Sequence, residues 1–431
     1  MSTTETSEPP GAAAALHPAY RWAILILVSG ALFGSYYLYD ALGMVADLVQ
    51  RGHHIGEVHY GFLSGAYSFA GALALLTCGQ LIDRMGTKRS ILLFGAISTL
   101  AGIITAVAPS FGILLLGRFL LGLGGEPMSV AINTVLSRYW KGRALSFAFG
   151  VSLTFSRLGT VAADRSPQWA HSVYGSGAAR APLVLAAFIG GTCLLGGLIN
   201  YLVERRAERR YALPAAGTTD KLSFAQVRSF DRSYWLLTGV CLAFYAALFP
   251  FQSFAAKLLI EGHGIGRDEA GVLLSYLPTS AMVAAPLFGI LVDRVGHRAL
   301  LLLLGLLLVL PVFPLLAVPS QAPYVPIILL CVSFSLIPAV LWPSVTYLVD
   351  ERRLGTAYAL LTLLQQLAVW AISAILGWSN DLAKASAQHP SGYALGMWLL
   401  AALCGLGLLC GLFLFQRERG IHSHGLQKNK I

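Results

Sequence analysis

The sequence predicts an all-α membrane protein with twelve transmembrane helices in two six-helix halves and both termini on the cytoplasmic side. Three observations carry this. The 431 residues are 56% hydrophobic and only 12% charged, against roughly a quarter charged in soluble domains, so the solvent must be lipid. Apolar stretches of about 20 residues, each long enough to cross a hydrocarbon core of roughly 30 Å, recur along the whole chain. Finally, the phrase running from Gly79 through Asp83-Arg84 and Gly86 to Lys88-Arg89 returns as Gly289, Asp293-Arg294, Gly296 and Arg298, at the corresponding place in each half.

The first span, 21–42, ends on the cluster Tyr36-Tyr37-Leu38-Tyr39-Asp40. The second, 60–81, runs into the first copy of the repeated phrase. Spans three and four, 89–108 and 111–137, are parted only by the tight hairpin at Pro109-Ser110, and a merged span is the alternative there. Span five, 144–164, follows the basic turn Lys141 to Arg143, and span six, 181–203, stops at the run Arg205 to Arg210. The second half repeats the plan with spans 233–256, 269–291, 298–318, 323–348, 355–378 and 391–415, and its weakest break lies between Pro319 and Pro323. A second repeated pair, Lys141 to Ala144 before span five and Arg353 to Ala357 before span eleven, supports the same division. The organisation is therefore a disordered N-terminus over 1–20, a first half over 21–203, a charged linker over 204–232, a second half over 233–415 and a tail over 416–431.

Basic residues are retained on the cytoplasmic face. With these spans, and with Arg21, Arg89 and Arg298 at the span ends assigned to the adjoining loops, 22 of the 30 Lys and Arg fall on the side of the N-terminus, six on the other side and two inside helices. The net charge of +10 follows from that retention, and the dispersal of basic residues over short loops argues against nucleic-acid binding. Residues 1–18 lack a charged segment followed by a cleavage site, so no signal peptide is expected. All six cysteines fall within predicted spans, which argues against a disulfide framework, and the ten histidines fall in loops or tails, which argues against a histidine relay. No cofactor and no metal site is expected; His422-x-His424 reads as solvated tail.

The repeated phrase has a physical logic. Gly79 permits close helix packing, Asp83 can cap a neighbouring helix and the basic residues close a short loop, so the contact can form and break as two halves move. It is also the signature loop of the major facilitator superfamily, which this sequence resembles over essentially its full length. The resemblance implies alternating access, with solute bound near the midplane between halves that rock about it.

Ionisable groups inside hydrocarbon cost a few kcal/mol each, so each needs a partner or a purpose. Four stand out: Asp40, Arg118, Glu126 and Arg157. Arg118 opens Arg-Phe-Leu-Leu-Gly122-Leu-Gly124-Gly125, which resembles the fourth-helix motif of the superfamily and reads as a structural residue and a gating charge together. Asp40 is either a helix-end carboxylate in contact with water or part of a vestibule. Glu126 lies about 12 residues before the turn at 138–143 and Arg157 about 14 after it, so both sit roughly 20 Å from that turn on neighbouring helices. They form a structural ion pair or the opposed poles of a solute site, the carboxylate for an ammonium and the guanidinium for a carboxylate. A wettable central path in a carrier favours the second. Asn133, Tyr245 with Phe249-Pro250-Phe251, Trp342-Pro343 and Gln365-Gln366 complete the candidate lining, together with Tyr36 and Tyr37.

Further strings narrow the resemblance: Leu121 to Thr134, Trp140 to Gly150, Ser156 to Thr160, Tyr245 to Phe251, Leu341 to Pro343 and Leu354 to Tyr358. They are similar to the lysosomal dipeptide uniporters of the superfamily and their prokaryotic relatives. That implies small peptides as substrate, Glu126 and Arg157 meeting the peptide's two ends, and facilitative uniport by a monomer. Without an Asn-x-Ser/Thr acceptor or an acidic-dileucine signal, a prokaryotic cell (inner) membrane is expected and an accessory subunit is left open. The alternatives are an organic-anion carrier, which would use Arg157 but has less need of Glu126, a proton-coupled peptide symporter, and, from another class, a non-transporting sensor. A membrane enzyme would need a nucleophile or metal constellation that the sequence lacks.

Overall fold

The computed structural model describes residues 17–140, 144–211, 230–319, 321–350, 353–420 and 423–427. The predicted N-terminus up to residue 16, the Lys141 to Arg143 turn, most of the linker, Arg352, His422 and the last four residues lie outside them.

The described residues are helical nearly throughout, as a lipid-embedded backbone requires, because each N–H and C=O must be satisfied within its own segment. In the first half α1 (Pro18–Asp40), a short α2 (Ala46–His53), α3 (Glu57–Leu75), α4 (Cys78–Met85), α5 (Thr87–Val107), α6 (Phe111–Trp140) and α7 (Leu145–Asp164) lead through two single turns, α8 (Ser166–Trp169) and α9 (His171–Tyr174), to α10 (Arg180–Arg210). The second half comprises α11 (Arg232–Lys257), α12 (Arg267–Val295), α13 (Arg298–Val309), α14 (Val312–Leu316), α15 (Tyr324–Leu348), α16 (Leu354–Leu382) and α17 (Tyr393–Arg419). Eleven stretches are long and apolar enough to cross a bilayer by themselves, and α3 with α4 makes a twelfth, bent by 58°. At that bend the Ala74 carbonyl accepts both the Thr77 amide at 3.1 Å and the Thr77 hydroxyl at 3.4 Å, a back-bonding arrangement that bends helices. Both doubtful hairpins are true breaks, and the helices overrun the predicted ends: α10 continues to Arg210 and α17 to Arg419. His53 and His59 lie inside helices, near their ends, rather than in loops.

Large apolar side chains such as Phe188, Leu195, Leu406 and Phe413 are exposed around the bundle, as a surface solvated by lipid tails allows. The six cysteines are free.

With twelve spans both termini emerge on one side, here termed the termini side, and the opposite end is the far side. On the far side the halves interlock. Asp381 of α16 accepts the first two amides of α3, Glu57 and Val58, each at 2.9 Å, and a Cβ on Gly377 would lie 2.2 Å from the Glu57 carbonyl. Lys257 of α11 pairs with Glu57 and also bonds Gln50, and Arg267 of α12 reaches Asp47 at 2.6 Å. The apolar core of the second half continues across this end into Met44, Val45, Val49 and Tyr60, whereas the first half keeps a separate core built on Ile24, Leu25, Phe94 and Val135. Toward the termini side the halves part. α4 packs on α3, α5 and α6 of its own half, and a cleft of about 420 Å³ opens between Phe147, Leu153 and Thr154 of α7 and Met282 and Pro286 of α12.

This state accounts for the repeated phrase. Gly86 and Gly296 each end a helix at positive φ, 78° and 69°, a conformation that favours glycine and turns the chain in both copies alike. The basic residues tie each copy into its own half, Lys88 to Glu208 and Arg298 to Asp293 at 2.7 Å. Asp83 and Arg84 are exposed in the last turn of α4, with Arg294 at the matching place on α12. The close packing expected of the phrase's first glycine is not used at Gly289, where a Cβ would meet nothing within 4 Å, because the halves have separated there.

Candidate functional site

Glu126 directly precedes Pro127 within α6, a proline that withholds one amide from the helix ladder. Its carboxylate projects toward α3, where Gly71 leaves the space: a Cβ there would lie 2.7 Å from Glu126 Cγ. The Tyr67 hydroxyl donates to Glu126 Oε1 at 3.0 Å, and the Gln366 side chain, from α16 of the other half, also bonds it. The carboxylate is thus held by neutral donors.

Arg157 on α7 is held differently. Its guanidinium lies 5.9 Å from the Tyr36 ring centroid and 5.3 Å from that of Phe334, between an aromatic of each half, which is favourable cation–π geometry. Among the described residues no ion pair joins Arg157 to Glu126 or to any other carboxylate. Tyr36 lies in the electrostatic reach of Arg157, Glu126 and Asp40 together. The structural-ion-pair reading is thereby disfavoured: the two charges share a neighbourhood without neutralising each other.

The second half supplies an aromatic wall. Trp342 Nε1 donates to the Tyr245 hydroxyl at 2.9 Å, Tyr245 stacks on Phe249 at 5.5 Å, and Trp342 stacks on Tyr358, whose hydroxyl bonds the Trp342 carbonyl at 3.0 Å. Tyr245 also feels the Arg157 charge. Each ring orients the next, and α11 and α15 both carry prolines at this depth, Pro250, Pro338 and Pro343.

The remaining candidates separate. Tyr37, one position and about 100° from Tyr36 around α1, is buried in the first half's interior, 6.4 Å from the Trp169 ring. Gln365 faces Cys241 inside the second half, and its neighbour Gln366 is the one at Glu126. Asn133 is exposed two turns beyond Glu126, on the same helix face and nearer the termini side. Arg118 is buried, donating from Nη1 to the Leu38 and Tyr39 carbonyls at 3.3 and 3.2 Å and lying over the Tyr39 and Tyr67 rings. It closes the C-terminal end of α1, where carbonyls lack helical partners and a cation suits the dipole. Asp40 lines a narrow cavity with Thr160 and Asp164. Tyr67, Phe334 and Tyr358 were not among the candidates. Tyr67 and Phe334 have no charged residue or proline beside them in the sequence, and the one visible signal was Tyr358, in a string already singled out.

The family model described as Major Facilitator Superfamily matches residues 28–374. Curated relatives include the lysosomal dipeptide transporter MFSD1 of Homo sapiens, 30% identical over 388 residues that span 86% of this chain and 83% of the relative, and that of Bos taurus, 30% identical over 395 residues and 88% and 84% of the two chains. A probable sulfoacetate transporter, SauU of Cupriavidus necator, is 24% identical over 86% of this chain and 89% of its own. Among solved structures, a bacterial homologue of the human lysosomal transporter Spinster, in an inward-facing and occupied conformation, superposes with a TM-score of 0.75 at 17% identity, covering 95% of this chain and 99% of that one.

Proposed function

The chain belongs to the Major Facilitator Superfamily, and we propose that it is an alternating-access carrier of small zwitterionic peptides, dipeptides above all. The observation that carries this is the unneutralised pair at the centre, Glu126 on α6 held by Tyr67 and Gln366, and Arg157 on α7 between Tyr36 and Phe334. A peptide ammonium satisfies the carboxylate and a peptide carboxylate accepts two parallel hydrogen bonds from the guanidinium. Side chains of varied shape then meet the aromatic wall of Tyr245, Trp342 and Tyr358, which is rigid and apolar with few polar atoms.

Because Gln366 and Phe334 come from the second half and Glu126 and Arg157 from the first, bound solute touches both halves and can bias how they rock. In this state the path runs to the termini side. The basic residues collected on that side support a cytoplasmic placement of both termini, with the chain in a cell membrane.

An organic anion is the second reading, favoured by the free guanidinium of Arg157 and by the resemblance to a probable sulfoacetate transporter. Thermal melting of the purified protein with alanyl-alanine, single amino acids, monocarboxylates and sulfoacetate separates the two, since a ligand stabilises the state it binds. Dipeptides are expected to raise the melting temperature and the anions not; stabilisation by anions alone rejects the peptide reading.

A further inference from the structure

Apart from the solute site, the far end brings together two carboxylates that make no ion pair among the described residues. Asp40, at the end of α1, and Thr160 and Asp164, one turn apart on α7, line a narrow cavity of about 20 Å³, room for about one water. Its other wall belongs to the second half: Gln252 and Ser253 on α11, Leu274 and Leu277 on α12. Asp164 is 9% exposed and Thr160 4%. The Thr160 hydroxyl lies against the Asp40 carboxylate and has no other partner among the described residues, where the one charge acting on Asp164 is that of Asp40.

The neighbouring charged groups are engaged elsewhere. Arg165 donates from Nε to Ser275 Oγ at 2.9 Å, Arg267 binds Asp47 and the Met44 carbonyl, and Arg118 binds the α1 carbonyls. Arg118 and Arg157 act on Asp40 but not on Asp164. Tyr39 also lines the cavity and Tyr174 lies in the reach of Asp164; a phenol ordinarily carries no charge near neutral pH. Two carboxylates facing one water-sized space at low dielectric cannot both stay ionised.

We propose that Asp40 and Asp164 share one proton while the halves are closed at the far end, and that this makes the carrier proton-coupled, in place of the downhill uniport suggested by the sequence resemblance. When the far end opens, water reaches the pair and a proton enters from that side. With one proton shared, the pair carries a single negative charge instead of two and can be buried, and the far end closes. Asp40, half-buried and within reach of Arg157, then passes the proton toward the termini side, and the repulsion between the two charges left behind drives the far end open again. One proton crosses per cycle in the direction of the solute. The proposal rests on the peptide reading only for the choice of test solute.

The test uses the full chain in liposomes. With one proton per solute, an inward gradient of one pH unit supports about tenfold accumulation of alanyl-alanine. Asp164→Asn is expected to exchange alanyl-alanine at equal pH and to lose accumulation, and Asp40→Asn tests the same step should the first variant fail to fold. Exchange by wild type without accumulation, accumulation driven by a sodium gradient instead, or unchanged accumulation in both variants overturns the proposal and leaves the peptide reading standing. If no dipeptide is exchanged, the peptide reading has failed, and melting of solute-free protein between pH 5 and 8 decides about the proton. Wild type losing stability relative to Asp164→Asn as pH rises supports the shared proton, because the folded state then holds a proton that the unfolded one releases; parallel curves overturn it.

Discussion

Replacing Lys257 by Met is expected to reverse which side of the carrier is open. Lys257 is 7% exposed and Glu57 4%, and their pair crosses from α11 to α3, with Gln50 on the same ammonium and Glu261 at 3.7 Å. Removing one member of a buried, hydrogen-bonded pair costs about 3–5 kcal/mol, because the partner is left charged and dry. That cost falls only on the state in which the far ends meet, since the two residues belong to different halves. At about 1.4 kcal/mol per factor of ten, it moves the equilibrium between the two open states by at least about a hundredfold. Asp381→Ala should act in the same direction but more weakly. It removes a carboxylate that caps the first amides of α3 at 2.9 Å, worth about 0.5–2 kcal/mol. Hydrogen–deuterium exchange read by mass spectrometry distinguishes a shift from simple damage. In Lys257→Met, segments 43–60 and 257–267 should exchange faster while 78–86 and 286–298 become protected. Faster exchange on both sides, or no change on either, refutes the reasoning.

Two further outcomes follow from the same geometry. Glu126→Gln and Arg157→Ala should each abolish stabilisation by alanyl-alanine, a loss of at least about tenfold in affinity for a charge-assisted contact, while leaving the melting temperature of the empty protein within a few degrees; unchanged dipeptide stabilisation in both would return the pair to a structural role. Gly377→Val should block far-end closure, since the added Cβ would overlap the Glu57 carbonyl at 2.2 Å, and should remove solute exchange without loss of membrane insertion, measured as counterflow against protein content.

Much of the architecture could be read directly from residue order. Lipid imposes a length on every span and a positive bias on one face, so hydropathy and the distribution of Lys and Arg identify helices with little tertiary knowledge. The prediction of one depth for Glu126 and Arg157 rests on the short turn at 138–143, and both charges act on Tyr36. Rotation about the helix axis was harder to read. Tyr36 reaches the charges and Tyr37 packs away from them; Gln366 meets Glu126 and Gln365 meets Cys241. A single position changes the direction of a helical side chain by about 100°, more than hydropathy can resolve in a span that is apolar all round.

What the sequence determined by itself is the number of spans, the repeated phrase that divides them into two halves and the residues charged at the centre. Each of these depends on contacts between neighbours in the chain or between a helix and lipid. Only the tertiary structure decided which charges neutralise one another. Lys257 meets Glu57 across 200 positions, Asp40 and Asp164 come together from α1 and α7 against a wall of the other half, and Glu126 and Arg157 do not pair. The physical reason is that an ion pair or a dry carboxylate depends on the separation of side chains in space and on the water left between them, and both are set by how twelve helices pack.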